Sequence, residues 1–311
     1  MTNRRVLAIR LGAMGDIIHT LPAVASLRQS LPGCHLAWAV EERWIPLLEG
    51  NPFIDELVPV NRRSLGAVLA LRNRLRSSRF DTAVDFQGLI KSALVASAAR
   101  AGRIYGYHRS YAREPLAALF YTKTCKPHST HVVEHHLELA ATAGAHAAAR
   151  SFPIPEGSPE GSLPQSPFVL ANPLAGWVGK QWPLDRYAEM ARCLDAEGLR
   201  LVLNGPAPIE VPGAWTHVSG LPGLIHATRR AAAVIGIDSG PLHLAAALGK
   251  PGVAIFGPTD PVRNGPYGGT MRVVRAADAR TTYKRDDRID PAMLAIGPEE
   301  VWAALRPQLA L

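Results

Sequence analysis

The sequence predicts an α/β chain of two doubly wound parallel-sheet domains facing a central cleft. Three observations carry that expectation. Short apolar runs alternate with helical stretches along most of the chain. After the apolar run at residues 6–9, Arg10-Leu11-Gly12-Ala13-Met14-Gly15-Asp16 reads as a strand end, a glycine turn and a helix start with an acid in its first turn. Far downstream, Ile235-Gly236-Ile237-Asp238-Ser239-Gly240-Pro241-Leu242-His243 repeats that grammar. Open α/β sheets bind ligands at such strand ends.

The elements follow in order. Residues 6–9, 36–40, 56–60 and 82–86 read as strands, with helices at 22–29, 65–76 and 90–99 between them and a further helix at 131–143. Residues 1–150 are therefore expected to form the first domain. The Pro-, Gly- and Ser-rich stretch 151–167 has no period of either kind and reads as a linker. Alternation then restarts. Strands are expected at 168–171, 199–204, 233–237 and 252–256, and helices at 184–197, 222–231 and 241–247. This second domain spans 168–296. Gly297-Pro298-Glu299-Glu300 opens a capped closing helix in 297–311, placed in the expectation against the first domain.

At 311 residues and 47% hydrophobic, the chain can bury two cores of ordinary size. Its three cysteines (Cys34, Cys125, Cys193) are widely spaced, which suits a reducing compartment and argues against a disulfide scaffold or Cys-rich zinc site. The N-terminus does not read as a secretory signal, and no apolar run approaches the roughly 18 residues of a membrane span. Net charge is +8, concentrated in the first half: residues 62–126 carry thirteen Lys/Arg against three Asp/Glu. Such a stretch is either a solvated face or a field that attracts an anionic partner or membrane surface. It lacks a nucleic-acid recognition motif or a ladder of stacking aromatics, so nucleic acid is not expected as the partner.

Three constellations can carry chemistry. Asp16 at a helix start can remove a proton from a hydroxyl, and equally can cap the helix. Gly179-Lys180 follows a strand but lacks the upstream Gly and the Ser/Thr of a phosphate-binding loop; Lys180 can still neutralise a departing phosphate. Asp238 can accept hydrogen bonds from sugar hydroxyls or serve as an N-cap, while the N–H groups of Ser239 and Gly240 form an anion site at a helix start. A Ser239–His243–Asp hydrolase is not supported, because the Gly-x-Ser-x-Gly turn is missing. His131 and His135 have one-face spacing but lack the Glu of zinc proteases, and no Asp-x-Asp occurs, so no metal is expected.

Taken together, these runs resemble the ADP-heptose lipopolysaccharide heptosyltransferases of glycosyltransferase family 9. The resemblance rests on Gly15-Asp16-Ile17-Ile18-His19-Thr20-Leu21-Pro22, Asp85-Phe86-Gln87-Gly88-Leu89-Ile90-Lys91-Ser92, Arg113-Glu114-Pro115-Leu116-Ala117, Lys180-Gln181-Trp182-Pro183, Asp238-Ser239-Gly240-Pro241-Leu242-His243-Leu244 and Phe256-Gly257-Pro258-Thr259-Asp260-Pro261. The second and third look most like the member that adds the first heptose to the Kdo-lipid A inner core. A member with a different acceptor or donor is the alternative; a non-catalytic nucleotide-sugar or RNA-binding protein is a third reading, which Asp16 argues against.

The resemblance implies a GT-B architecture and an inverting transferase that needs no metal and no cofactor. It implies ADP-heptose as donor, Kdo-lipid A as acceptor, and a cytoplasmic protein peripherally held at the inner membrane by charge. By position, Asp16 corresponds to the general base and Lys180 to the cation on the leaving diphosphate. Asp238, Ser239, Gly240 and His243 correspond to donor-binding residues, with Glu210 the one acid available for the ribose. Arg62, Arg63, Lys91 and Arg113 are the candidates for acceptor contacts.

Overall fold

A computed structural model describes residues 4–309. The chain divides into two compact units, Met1–Pro155 and Glu156–Leu311. The division falls inside the stretch expected to be a linker, which carries no helix or strand.

The first unit runs β1 (Arg5–Ile9), α1 (Met14–Ser30), β2 (His35–Glu41), β3 (Glu56–Val60), α2 (Leu65–Ser77), β4 (Thr82–Asp85), α3 (Ile90–Ala98), β5 (Arg103–Tyr107), β6 (Lys123–Cys125) and α4 (Val132–Thr142). Its strands form one six-stranded sheet in the order β3-β2-β1-β4-β5-β6, and every pairing is parallel. The inner strands are buried on both faces, so they read as unbroken apolar runs. Pro59 sits in β3, an edge strand, where a missing N–H costs the ladder nothing.

The second unit runs β7 (Phe168–Asn172), α5 (Leu184–Ala196), β8 (Arg200–Gly205), β9 (Trp215–Val218), α6 (Leu221–Arg230), β10 (Ala233–Ile237), α7 (Gly240–Ala247), β11 (Gly252–Phe256), α8 (Pro261–Asn264), β12 (Met271–Arg275), α9 (Pro291–Ala295) and α10 (Pro298–Leu305). Its six strands, again all parallel, lie in the order β12-β11-β10-β7-β8-β9. Read from β7, that is the topology of the first sheet repeated. Each unit thus has one place where the strand order reverses: β1 beside β4, and β7 beside β10. Ligands bind outside the carboxyl ends of the strands at such points.

Two expected elements are corrected. The first helix runs unbroken from Met14 to Ser30, joining the helix start expected at Asp16 to the stretch expected at 22–29 across Pro22. A proline there deletes one backbone hydrogen bond, but α1 is buried along nearly its whole length and its packing outweighs that loss. Four strands, β5, β6, β9 and β12, were not expected; each lies at a sheet edge or next to one. The closing helix α10, expected against the first domain, packs on α5, β11 and β12 and buries Val301 and Leu305 in the second unit's core.

Candidate functional site

In the first unit, the turn after β1 is bolted to the turn after β4. Leu11 N–H donates to Gln87 Oε1 at 2.8 Å, and the Arg10 guanidinium donates to the Phe86 carbonyl. Asp85, fully buried at the end of β4, shapes the second turn. It accepts from Gln87 N (2.8 Å), Ser92 Oγ (2.8 Å) and Tyr121 OH (2.7 Å). Burial drives its carboxyl above the ordinary value despite these donors. Gly88, at φ +66°, lets the chain turn where a Cβ would meet Ala112 Cα at 3.2 Å. The segment pressed against it is the Arg113–Glu114 loop. Glu114 N donates to the Gly88 carbonyl (3.0 Å), and Glu114 Oε2 accepts from Ile90 N (2.6 Å) at the start of α3.

That framework delivers Arg113 to Asp16. Asp16 is the third residue of α1, and its Oδ2 takes three donors: Ala13 N at 3.3 Å, Arg10 Nη2 at 2.7 Å and Arg113 Nη1 at 3.4 Å. The first is the helix cap considered from the sequence. No donor among the described residues reaches Oδ1. The Asp16 side chain is 29% exposed, while that of Arg10 is only 4% exposed. Burial raises the Asp16 pKa, but the two guanidiniums and the Ala13 amide outweigh it and hold the carboxyl below its ordinary value.

A second carboxylate flanks this turn. Glu41, ending β2, donates its N–H to the Leu11 carbonyl at 3.1 Å. Its Oε1 lies 3.1 Å from Arg62 Nη2 and 3.8 Å from Lys91 Nζ, and its Oε2 lies 3.0 Å from Arg43 Nη2. Arg62 and Lys91 are therefore brought together. Arg63 remains exposed and forms no ion pair among the described residues; it lines, with Glu41, Arg43 and Arg62, a cavity of about 340 Å³.

In the second unit, the turn after β7 meets the turn after β10. Lys180 Nζ lies 2.7 Å from Asp238 Oδ2, donates to the Asp238 carbonyl at 3.3 Å and sits 5.2 Å from the centre of the Trp177 ring. His243 Nε2 lies 3.6 Å from Asp238 Oδ1. Burial pushes the Asp238 pKa up, and the hydrogen bond from His243 and the charge of Lys180 overwhelm it, holding the carboxyl far below the ordinary range. Both Asp238 oxygens thus face cationic or proton-bearing partners. Ser239 is the N-cap of α7, and its buried Oγ finds no partner among the described residues. Thr259 Oγ1, on the turn after neighbouring β11, is likewise buried and unpartnered. Gly236 lets α7 sit close on β10: a Cβ there would meet Leu242 Cδ1 at 2.6 Å.

Glu210 stands apart on an exposed stretch between β8 and β9 and is not brought to this cluster. His131 and His135 serve local structure. His131 caps α4 by accepting from Val133 N at 3.1 Å, and His135 Nε2 lies 2.7 Å from the Ser129 carbonyl. Among the described residues no group of three or more His, Cys, Asp or Glu converges as metal ligands would.

Sequence reasoning missed Arg10, Glu41, Asp85 and Glu114 as site-shaping residues. Arg10 carried a signal, since a strong cation ending a fully apolar strand has to find a partner. Glu41 carried none.

Two doubly wound units, each with polar side chains gathered where its strand order reverses, define a nucleotide-sugar transferase architecture of the GT-B type. The profile of glycosyltransferase family 9 (heptosyltransferase) matches residues 68–292, and the chain belongs to that family. Over 307 residues it is 32% identical to lipopolysaccharide heptosyltransferase 1 of Escherichia coli strain K12, covering 88% of this chain and 93% of that one. The lipopolysaccharide heptosyltransferase 1 of Pseudomonas aeruginosa strain PAO1 is 30% identical over 295 residues, covering 85% and 81%. Among solved structures, E. coli heptosyltransferase WaaC with ADP aligns at a TM-score of 0.76 and 25% identity, covering 98% of this chain and 99% of that one.

Proposed function

We propose that this chain transfers heptose from ADP-heptose to a Kdo residue of the lipopolysaccharide inner core, with inversion and with Asp16 as general base. The heptosyltransferase 1 relatives support the reaction, and the solved relative with ADP supports an adenine nucleotide on the donor. The observation that carries the catalytic assignment is the asymmetry of Asp16. Its Oδ2 is anchored by three donors, its side chain is partly exposed, and among the described residues no donor reaches Oδ1.

The chemistry follows from that arrangement. The acceptor hydroxyl oxygen forms a bond to the anomeric carbon as the bond from that carbon to the diphosphate oxygen breaks. The hydroxyl proton passes to Asp16 Oδ1, and the electron pair of the broken bond stays on the departing ADP. A carboxylate held below its ordinary pKa is a weak base. It works because it is ionised, fixed in place and presented with a proton whose acidity rises as the new bond forms. Charge gathering on the leaving diphosphate is met by Lys180 and by the N–H groups at the start of α7. In this reading those groups supply the charge stabilisation, and no metal is required. Asp238, with both oxygens already engaged, orients Lys180 and can share a sugar hydroxyl. Arg62, Arg63, Lys91 and Arg113 meet the acidic acceptor, and the same positive field holds the protein peripherally at an anionic membrane surface.

The test is direct. Purified protein is mixed with Kdo-lipid A and either ADP-heptose, a UDP-sugar or a GDP-sugar, and the lipid is weighed by mass spectrometry. The expected result is the gain of one heptose with ADP-heptose alone. No gain, or transfer from another nucleotide sugar, overturns the reading.

A further inference from the structure

Five leucines of the first unit point into solvent on three neighbouring segments. Leu65 is 85% and Leu69 54% exposed on α2, Leu94 is 52% exposed on α3, and Leu116 and Leu119 are 61% and 80% exposed on the short 3-10 turn Pro115–Phe120. Single exposed leucines are ordinary; a set on adjoining segments is not. The segments adjoin because of the winding. The crossovers β3-α2-β4 and β4-α3-β5 run toward the same edge of the sheet and lie on one face, while β1-α1-β2 runs the other way. Accordingly α3 packs against both α2 and the 3-10 turn, and α1 packs against α4.

The charge on these segments is one-sided. Arg62 and Arg63 precede Leu65, Arg72 lies one turn beyond Leu69, Lys91 one turn before Leu94, and Arg113 just ahead of Leu116. Glu114 is the sole acid within residues 62–77, 90–98 and 111–123, and its carboxylate is occupied by the α3 amide of Ile90. Arg62 and Lys91 share Glu41 and Arg113 reaches Asp16, whereas Arg63 and Arg72 form no ion pair among the described residues.

We propose that this face docks on an anionic lipid bilayer, with the leucines entering the boundary between headgroups and acyl chains and the flanking arginines and lysine lying among the phosphates. Interleaving decides for lipid over a protein partner. The core of a protein interface is depleted of charge, whereas here every leucine has a cation within about one turn. Leucine beneath a cationic rim is the pattern of interfacial segments. The inference rests on the reading that the acceptor is a lipid, and it adds apolar insertion to attraction by charge alone.

The test uses the full chain with vesicles of phosphatidylglycerol and phosphatidylethanolamine, and with pure phosphatidylcholine vesicles as control, in a flotation assay. Wild type floats with the anionic vesicles and not with the control. Leu65→Ser/Leu69→Ser/Leu119→Ser cuts the partition about tenfold or more, since even part-burial of three leucines is worth at least that factor. Transfer to a deacylated, water-soluble Kdo acceptor is the same for both proteins. An unchanged partition in the triple variant overturns the proposal, as does a wild type that does not float. A wild-type dimer in light scattering that the variant loses overturns it too, by assigning the face to a second copy. Failure of wild type on the soluble acceptor, with flotation intact, rejects the transferase reading and leaves the docking face standing.

Discussion

Among the described residues every donor on Asp16 uses one oxygen, whereas Asp238 has partners on both. That difference separates a group that can take a proton from one that holds a neighbour in place. Asp16 sits below its ordinary pKa, so it stays ionised through the neutral range and well into acid. The acid limb of kcat/KM governed by Asp16 is therefore expected below about pH 4, and a rate profile measured from pH 5 to 8 should show no loss from this group. Stability carries its own signature. The folded-state pKa of Asp238 lies below its unfolded value near 4. Its contribution is complete above that unfolded value and disappears as pH falls through the folded one. The urea midpoint of wild type should decline steeply on acidification, and that of Asp238→Asn less steeply. Lys180→Met leaves the Asp238 charge buried with one partner fewer. It should cost about 3 kcal/mol of stability in denaturant titration, partly restored by adding Asp238→Asn. The same variant should lower kcat roughly a hundredfold or more if Lys180 meets charge developing on the leaving group.

At the scale of elements, the site is a product of loops locked to one another at the reversal of strand order. Gly88→Ala tests that lock. A methyl at φ +66°, pressed on Ala112, strains the turn that seats the Arg113–Glu114 loop, at a cost of about 1–2 kcal/mol. The expected outcome is a lower thermal midpoint together with a lower kcat/KM, because Arg113 loses its register on Asp16; an unchanged kcat/KM would detach the loop from the site. The inner strands were legible in the sequence, since strands buried on both faces are written as plain apolar runs; β10 and β11 keep their expected bounds, as does the edge strand β3. Lys-Thr-Cys in β6 and Trp-Thr-His-Val in β9 were not legible. Both are short edge strands with one unpaired side, and neither run is long or apolar enough to mark a strand by itself. Pro22 hid the continuity of α1 for a related reason. A local breaker was overruled by burial that only the tertiary fold supplies. Asp16, Lys180 and Asp238 were legible because each follows a strand end with glycine nearby. Glu41 was not, because its importance lies in Arg62 and Lys91, which tertiary folding brings to it beside the neighbouring Arg43.

Across the whole molecule, the same winding is used twice, with an acid-and-arginine turn at the first reversal and a lysine–aspartate–histidine turn at the second. The charge is not shared evenly: thirteen Lys/Arg against three Asp/Glu fall within residues 62–126 of the first unit. If that excess meets an acidic acceptor, the acceptor KM should rise several-fold from low salt to roughly 0.5 M, while the donor KM changes less, as steady-state kinetics at fixed pH would show. Asp16→Asn keeps the shape of the side chain and removes its basicity, so it isolates the general-base role. Single-turnover transfer from ADP-heptose to the Kdo acceptor should slow by about 10²–10⁴, with the Kd for ADP-heptose within twofold of wild type. Turnover within a few-fold of wild type at unchanged donor affinity would contradict the account.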